Sequence, residues 1–305
     1  MCHFGWCYVY IEILGMGLAG AALALNTTYC SCYLIQEFYL RYWPKVDDHY
    51  FKVRTATFLT KETMQDWYSF LKLGVPSTAM ACFEWWAFEV IAIFAGVLGV
   101  TELSAQVVIV NIMGMVFMIP LGIQFAASSL VGNQVGKNCP EQAQRYAVCS
   151  VLFGVSAVSL LMVSFFLVPR SIATIFTKDE ATVAIVVDTL TVLSLFLFFD
   201  AIHGVQSGNV RALGLQKYAS VTTLVAYYGI GLPFALHFGF TKELGVKGFW
   251  LGYFISLVIL DLIVAAIVIT ADWAPNVLLP GPLIRRAHTF LDDDDDFQLS
   301  SPVRR

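Results

Sequence analysis

The chain has 305 residues, of which 58% are hydrophobic and only 13% are charged. Soluble globular domains carry about 25% charged and about 45–50% apolar residues, so this composition, with a mean hydropathy of +0.72, excludes an ordinary soluble domain and predicts an all-α polytopic membrane protein. The net charge of −4 comes largely from the run Asp292 to Asp296, and no basic patch indicates nucleic acid as a partner.

Seven windows are long and apolar enough to cross a bilayer, which requires about 20 residues in a helix. They are residues 15–40, 73–98, 105–130, 146–168, 184–206, 218–238 and 248–271. Residues 1–14 are apolar but too short to cross alone. We expect them to be either the end of another helix or an interfacial segment.

Lys and Arg are divided unequally between the segments that join these spans. Segments 41–72, 131–145 and 207–217, together with the C-terminal tail, hold fourteen of them, and the alternate segments hold four. Because short cytoplasmic loops are enriched in Lys and Arg, we expect the first set and the C-terminus to face the cytoplasm. The N-terminus would then face outward or into a lumen.

The first and last spans begin with the same spacing of small residues. The first begins GLAGAALA at Gly17, and the last begins GVKGFWLG at Gly245. Small residues at a helix start allow close backbone packing. The echo indicates either equivalent helices of two related halves or ordinary glycine enrichment in membrane helices.

Acidic residues occur within or near the apolar spans, where a charge costs about 2.5–3.5 kcal/mol on insertion scales and usually faces a cavity or a partner. They are Glu84, Glu89, Asp188, Asp200 and Asp261. Asp188 lies near a helix end and is predicted to be interfacial. For Asp261, near the middle of the last span, a functional role and a packing role both stay open.

Glu84 and Glu89 lie in the stretch ACFEWWAFEV, five residues apart. That spacing separates them by about 140° around a helix, so they cannot share a face. Pro76, two turns earlier, allows a bend. A carboxylate beside Trp85 and Trp86 suits an organic cation, although tryptophans that only pack or face lipid are the alternative.

Asp200 begins the stretch DAIHGVQSGNVRALGLQ at the end of the fifth span, with His203 one turn later. A carboxylate buried in a membrane helix can exchange its proton near neutral pH, as proton-coupled transport requires. An interfacial histidine is the alternative for His203.

Four stretches occur in a characteristic order: residues 70–90 (FLKLGVPSTAMACFEWWAFEV), 103–136 (ending IPLGIQFAASSLVGNQVG), 200–216 (DAIHGVQSGNVRALGLQ) and 227–233 (YYGIGLP). Together they resemble the seventh, eighth, tenth and eleventh helices of the MATE (multidrug and toxic compound extrusion) family, in its eukaryotic branch. The resemblance covers residues 10–271, as the sixth to twelfth helices of that family.

The resemblance implies a domain plan. Residues 1–40 would be a remnant of the N-terminal lobe, 41–72 a cytoplasmic loop between lobes, 73–271 the C-terminal six-helix lobe, and 272–305 a disordered cytoplasmic tail. About five helices of the family fold are then missing, so we expect a truncated sequence or a degenerate protein. A second copy or the missing lobe would be its partner.

The resemblance also implies site residues. Glu84 matches the family carboxylate implicated in proton coupling, and Asp200 matches an acidic position in the tenth helix. Residues predicted to bind substrate are Glu89, Trp85, Asn111 and Tyr228. Asn111 departs from the pattern, since some animal members carry glutamate there.

The implied function is proton-coupled antiport of organic cations or other xenobiotics, across the plasma membrane or a vacuolar or other endomembrane, with the proton gradient in place of any cofactor. A non-transporting remnant of such a transporter is the first alternative. A seven-helix receptor is disfavoured, because no acidic-Arg-aromatic triplet closes the third span and no Asn-Pro-x-x-Tyr occurs in the last.

The chain shows no pattern typical of an enzyme or a metal protein. No phosphate loop and no nucleophile with a neighbouring base is recognisable. The seven cysteines include no Cys-x-x-Cys pair and lie mostly in apolar stretches, so we expect small buried side chains and no metal site.

Overall fold

The computed structural model describes residues 2–42, 67–271 and 273. The chain divides into two compact units, Met1–Trp67 and Tyr68–Arg305. The described residues contain helices and turns but no strand.

The first unit is a helical hairpin. Helix α1 (Cys2–Cys7) continues into a π turn (Tyr8–Ile13), and α2 (Gly17–Tyr42) runs back along it. Trp6 Nε1 donates to Ser31 Oγ at 3.2 Å. Residues 2–13 are therefore helical and pack against α2.

The second unit holds the remaining helices. They are α3 (Trp67–Leu98), α4 (Val100–Gly136), α5 (Pro140–Leu167), the short α6 (Pro169–Phe176), α7 (Glu180–Ala212), α8 (Gln216–Thr241) and α9 (Gly245–Thr270). Helix α8 contains two π turns, Val225–Gly231 and His237–Thr241.

Seven of the described helices, α2 to α5 and α7 to α9, are long and apolar enough to cross a membrane. This confirms the predicted all-α polytopic membrane fold. The helices extend beyond the predicted windows: α3 begins at Trp67, within the expected 41–72 loop, and only Gly99 separates α3 from α4. Hydropathy marks the hydrocarbon thickness, whereas helices continue into the interface.

Helix α7 is the central helix of the second unit and packs against α4, α5 and α9. Two glycines of α7 permit close contact with α4. A Cβ on Gly208 would lie 2.4 Å from the main-chain oxygen of Gln124, and one on Gly204 would lie 3.2 Å from the Phe117 ring. Glycine at these positions brings the polar face of α7 into the middle of the bundle.

Aromatic side chains fill the core between α3, α7 and α9. Phe88 stacks on Trp250 with 5.7 Å between ring centroids, and Phe196 meets Trp250 edge to face at 5.1 Å. The Trp250 indole N–H donates to Gln106 Oε1 at 2.9 Å. Each aromatic pair contributes about 0.5–1.5 kcal/mol beyond area burial, so this cluster fixes α3 against α9.

The Gly-x-x-Gly echo corresponds to a repeated backbone turn. In the first unit, Met16 N donates to Tyr10 O at 3.1 Å, and α2 begins at Gly17 with φ +52°. A Cβ on Gly20 would lie 2.8 Å from Tyr10 O. Glycine is therefore required at both positions, by the left-handed backbone and by the close approach.

The second unit contains the same turn. Leu244 N donates to Phe238 O at 3.2 Å, and α9 begins at Gly245 with φ +56°. A Cβ on Gly248 would lie 2.6 Å from Phe238 O. Each residue matches its counterpart in the first turn at one constant offset in number, and a π turn precedes both. The geometry supports related halves over chance glycine enrichment.

The prediction that the cysteines are buried is wrong for the six whose side chains are described. Cys30, Cys32 and Cys149 are exposed on the protein surface, and the other three are half-buried. In a membrane protein the lipid-facing surface is as apolar as the core. An apolar neighbourhood in the sequence therefore does not distinguish the two.

Candidate functional site

Glu84 lies on α3, at a small cavity between α3, α4 and α7. The cavity has a volume of about 10 Å³, roughly enough for one water molecule. Its lining residues are Glu84, Trp85, Phe88, Met113, Phe117 and Asp200. The cavity is therefore the place where acidic residues from two membrane helices meet, among four apolar side chains.

Asp200 reaches the cavity from α7 and is almost fully buried, with 3% of its surface exposed. The structure thus brings the two residues predicted for proton coupling, Glu84 and Asp200, to one cavity. The close contact of α7 with α4 at Gly204 explains how a carboxylate on α7 reaches the space beside Phe117.

His203, one turn after Asp200, lies against Asp261 of α9. His203 Nδ1 and Asp261 Oδ1 lie 3.2 Å apart, and their side chains are 2% and 7% exposed. His203 is therefore buried inside the bundle. Asp261 likewise has a polar side chain as its neighbour.

Arg211 at the end of α7 is bound to the beginning of α3. Its Nε donates to Ser77 Oγ at 3.2 Å, and Gln216 Nε2 donates to the Leu73 carbonyl at 3.4 Å. These two bonds flank Pro76, which leaves one backbone hydrogen bond of α3 unmade. Side chains from the α7–α8 connection therefore hold the part of α3 that the proline weakens.

Trp85 and Tyr228 are two further residues of the predicted site. Trp85 lines it, with its ring edge to face with Phe117 at 6.4 Å. Tyr228 is outside the lining, and its ring meets that of Phe83 at 6.4 Å.

Glu89 and Asn111 do not reach the cavity. Glu89 is exposed on α3, and its separation of about 140° from Glu84 places it on another face of that helix. Asn111 is exposed on α4, where its side-chain amide donates to the Val107 carbonyl at 2.8 Å. Of the six predicted site residues, the structure brings together Glu84, Trp85 and Asp200.

Sequence reasoning missed the pairing of His203 with Asp261 and the contact of Arg211 with Ser77. The one-turn spacing of Asp200 and His203 was a visible signal, because it places both on one helix face. No local signal connects either residue of α7 to its partner on another helix.

The fold and the cavity therefore define an integral membrane protein in which carboxylates from two helices, Glu84 and Asp200, meet at one cavity. Residues 76–236 match the MatE family model, and the chain belongs to the MATE family. The predicted resemblance is thereby confirmed, and the receptor alternative is wrong.

Relatives with the same family name are similar over most of the chain. Multidrug and toxin extrusion protein 1 of Xenopus tropicalis is 33% identical over 274 residues, covering 87% of this chain and 45% of that protein. The human protein of that name is 32% identical over 269 residues, covering 87% of this chain and 46% of that protein. The chain spans about half the length of these relatives.

The fold is similar to that of the eukaryotic MATE transporter AtDTX14, as seen in its crystal structure. The TM-score is 0.81 at 24% sequence identity, covering 93% of this chain and 61% of that one. This likeness concerns the fold alone.

Proposed function

We propose that this chain carries the proton-coupling lobe of an antiporter that exports organic cations and other xenobiotics. The observation that carries the proposal is that Glu84 and Asp200, from two different helices, line one small cavity. The relatives named multidrug and toxin extrusion proteins support the substrate class.

Electrostatics explains how such a cavity couples protons to cations. Two carboxylates that share a desolvated site cannot both stay ionised without a counter-ion. Protons bound at Glu84 and Asp200 therefore compete with a cation held against the same charges. The cavity itself has room for about one water molecule, so an organic ammonium group would bind beside it, where the exposed ring of Trp85 offers a cation–π surface.

Helix α3 is the element that we expect to respond to protonation. Pro76 allows it to bend eight residues before Glu84. The bonds from Arg211 to Ser77 and from Gln216 to Leu73 hold the helix in the conformation described. Loss of charge at Glu84 weakens its attraction to Arg211, which lies within electrostatic range, and so favours release of α3.

The proposal keeps the implied domain plan, with the start of the coupling lobe moved to Trp67, where α3 begins. Residues 1–40 belong to the other lobe, the following segment connects the lobes, α3 to α9 form the coupling lobe, and 272–305 are a cytoplasmic tail. Residues 43–66 and 274–305 lie outside the described part of the chain. A second lobe or a second copy completes the translocation path, because one lobe lacks an opposite wall. Glu89, Asn111 and Tyr228 then face substrate as it passes, in the plasma membrane or an endomembrane.

Transport by purified protein in proteoliposomes tests the function. With an imposed pH gradient, we expect tetraethylammonium to move against the proton flow. Glu84→Gln and Asp200→Asn should each reduce the rate at least tenfold. Asp188→Asn is the matched control, because Asp188 lies on the same helix α7 but is exposed and paired with Lys247 at 2.8 Å.

Wild-type rates in both cavity variants would overturn the role of the carboxylates. A wild-type chain that binds the cation but moves none would favour the alternative of a non-transporting remnant. No binding and no transport would overturn the proposal as a whole.

A further inference from the structure

His203 and Asp261 are each other's partner in the core of the bundle. Their side chains are 2% and 7% exposed, and His203 Nδ1 lies 3.2 Å from Asp261 Oδ1. Among the described residues, no hydrogen-bond partner meets either ring nitrogen of His203 or either carboxylate oxygen of Asp261. Each side chain therefore depends on the other for compensation of its polarity.

The pair lies beside the proposed coupling carboxylates. Asp200 is one turn before His203 on α7, and Glu84 of α3 is within electrostatic range of both members. From α8, the buried phenol of Tyr227 is also within range of the acids. Four titratable groups from three helices, with one phenol, thus form a single cluster.

The other helices around this part of α7 add no charge to it. Helix α4 contributes Phe117 and Pro120 beside Gly204. The single charged residue of α4, Glu102, accepts a bond from Val246 N at the start of α9. Both charged residues of α5 are exposed near its beginning. Among the residues that the structure describes, His203 is therefore the one buried group that can place a positive charge within the cluster, with Arg211 at its edge.

We propose that His203 and Asp261 form an imidazolium–carboxylate pair that serves as the internal counter-charge of the coupling site. The positive ring beside Glu84 and Asp200 allows one carboxyl group to lose its proton inside the membrane, and so sets the pH at which the site exchanges protons. The meaning for transport rests on the function proposed above. His203 is a positioning residue, since it acts through the two carboxyl groups.

Charge balance distinguishes this role from simple packing. The pair has no net charge, so removing both members changes the electrostatic potential at Glu84 less than removing either one alone. Removal of His203 alone leaves an extra negative charge, and removal of Asp261 alone leaves an extra positive one. The single variants must therefore act in opposite directions, and the double variant must lie between them.

Infrared difference spectroscopy of the purified full chain in lipid nanodiscs tests the proposal without any need for transport. The protonated-carboxyl band is titrated with pH, and Glu84→Gln identifies the contribution of Glu84. His203→Gln should move the midpoint upward by about one pH unit, as expected for loss of a nearby opposite charge. Asp261→Asn should move it downward, and the midpoint of the double variant should lie between those of the two single variants. His237→Gln, an exposed histidine on α8, should cause no shift.

Unchanged midpoints in both single variants, or shifts in the same direction, would overturn the proposal. If His203→Gln fails to accumulate, the two Asp261 variants test the proposal by themselves. Asp261→Asn, which removes the negative charge, should shift the midpoint, and Asp261→Glu, which keeps it, should not. Tetraethylammonium transport is measured separately on the same samples. If the wild-type chain does not transport but the midpoints shift as expected, only the proposed function is refuted. If it transports normally but the midpoints do not shift, only the counter-charge is refuted.

Discussion

The phenol of Tyr253 on α9 donates a hydrogen bond of 3.0 Å to the main-chain carbonyl of Ala87 on α3. Ala87 lies one turn after Glu84, so this bond holds α3 against α9 beside the cavity. Tyr227 packs edge to face with Tyr253 at 5.5 Å. Its own hydroxyl is buried with no hydrogen-bond partner in the described part of the chain.

These two phenols give a matched pair of substitutions. Tyr253→Phe should lower the free energy of unfolding by about 0.5–1.5 kcal/mol, the usual net value of one hydrogen bond. Tyr227→Phe should leave it unchanged or raise it, because it removes a buried hydroxyl without a partner. Reversible unfolding in mixed detergent measures both, and equal losses would contradict the assigned bond.

Replacement by alanine should destabilise the protein at Gly248, in the repeated turn, but not at Gly114 on α4. Gly248→Ala should lower the free energy of unfolding by about 1–3 kcal/mol, as overpacking does, because its Cβ would lie 2.6 Å from Phe238 O. Gly114→Ala on α4 is the control, since no atom lies within 4 Å of its added Cβ. Thermal midpoints by size-exclusion chromatography report the two values, and a tolerant Gly248 would refute the close approach.

Asp179 predicts a dependence of stability on pH outside the membrane-spanning segments. Its carboxylate caps α7 by accepting from Thr182 Oγ1 at 2.6 Å and Thr182 N at 3.0 Å. The side-chain bond, followed by the main-chain bond, holds the pKa of Asp179 below its usual value of 3.8. Because the folded-state pKa is the lower one, the stabilisation is complete above the unfolded pKa and is lost as the pH falls through the folded one.

Circular dichroism on acidification checks this cap. In Asp179→Asn, the loss of stability below about pH 4 that comes from protonation of Asp179 should disappear. The asparagine amide still caps the helix. Thr182→Val should keep only the main-chain donor and so give an intermediate loss. An acid profile identical in all three proteins would show that the cap does not contribute.

The beginning of α3 should become more mobile when its link to α7 is cut. Ser77→Ala removes the acceptor of Arg211 Nε, and a loss of about 1 kcal/mol corresponds to roughly fivefold faster amide exchange in that segment. Ser104→Ala is the control, because its hydroxyl bonds within its own helix to Val100 O at 2.8 Å. Hydrogen-exchange mass spectrometry gives both rates, and equal protection in the two variants would refute the link.

Much of this architecture could be predicted from sequence, because the bilayer imposes it. The hydrocarbon thickness sets the length of each apolar run, so seven spans were recognisable. Helix geometry separated Glu84 from Glu89, and the structure leaves Glu89 exposed. The family pattern brought Asp200 into consideration as the partner of Glu84.

What could not be predicted depends on contacts between distant segments. The pairing of His203 with Asp261 requires the packing of α7 on α9, and no local pattern encodes it. The π turns before α2 and α9 could not be predicted either, because one extra residue in a helical turn scarcely changes the hydropathy pattern. The exposed side of each membrane helix also stayed undefined, as the cysteines show.

The repeated turn also shows how one backbone accommodates two sequences. Gly15 in the first unit and Glu243 in the second hold equivalent left-handed conformations, with φ +62° and +55°. A glutamate is strained there, whereas a glycine is not. The same turn is therefore unstrained in the first unit, where glycine adopts it, and strained in the second unit, where glutamate does. Glu243→Gly would relieve that strain, because it gives the second unit the residue type that the first unit has at the equivalent position.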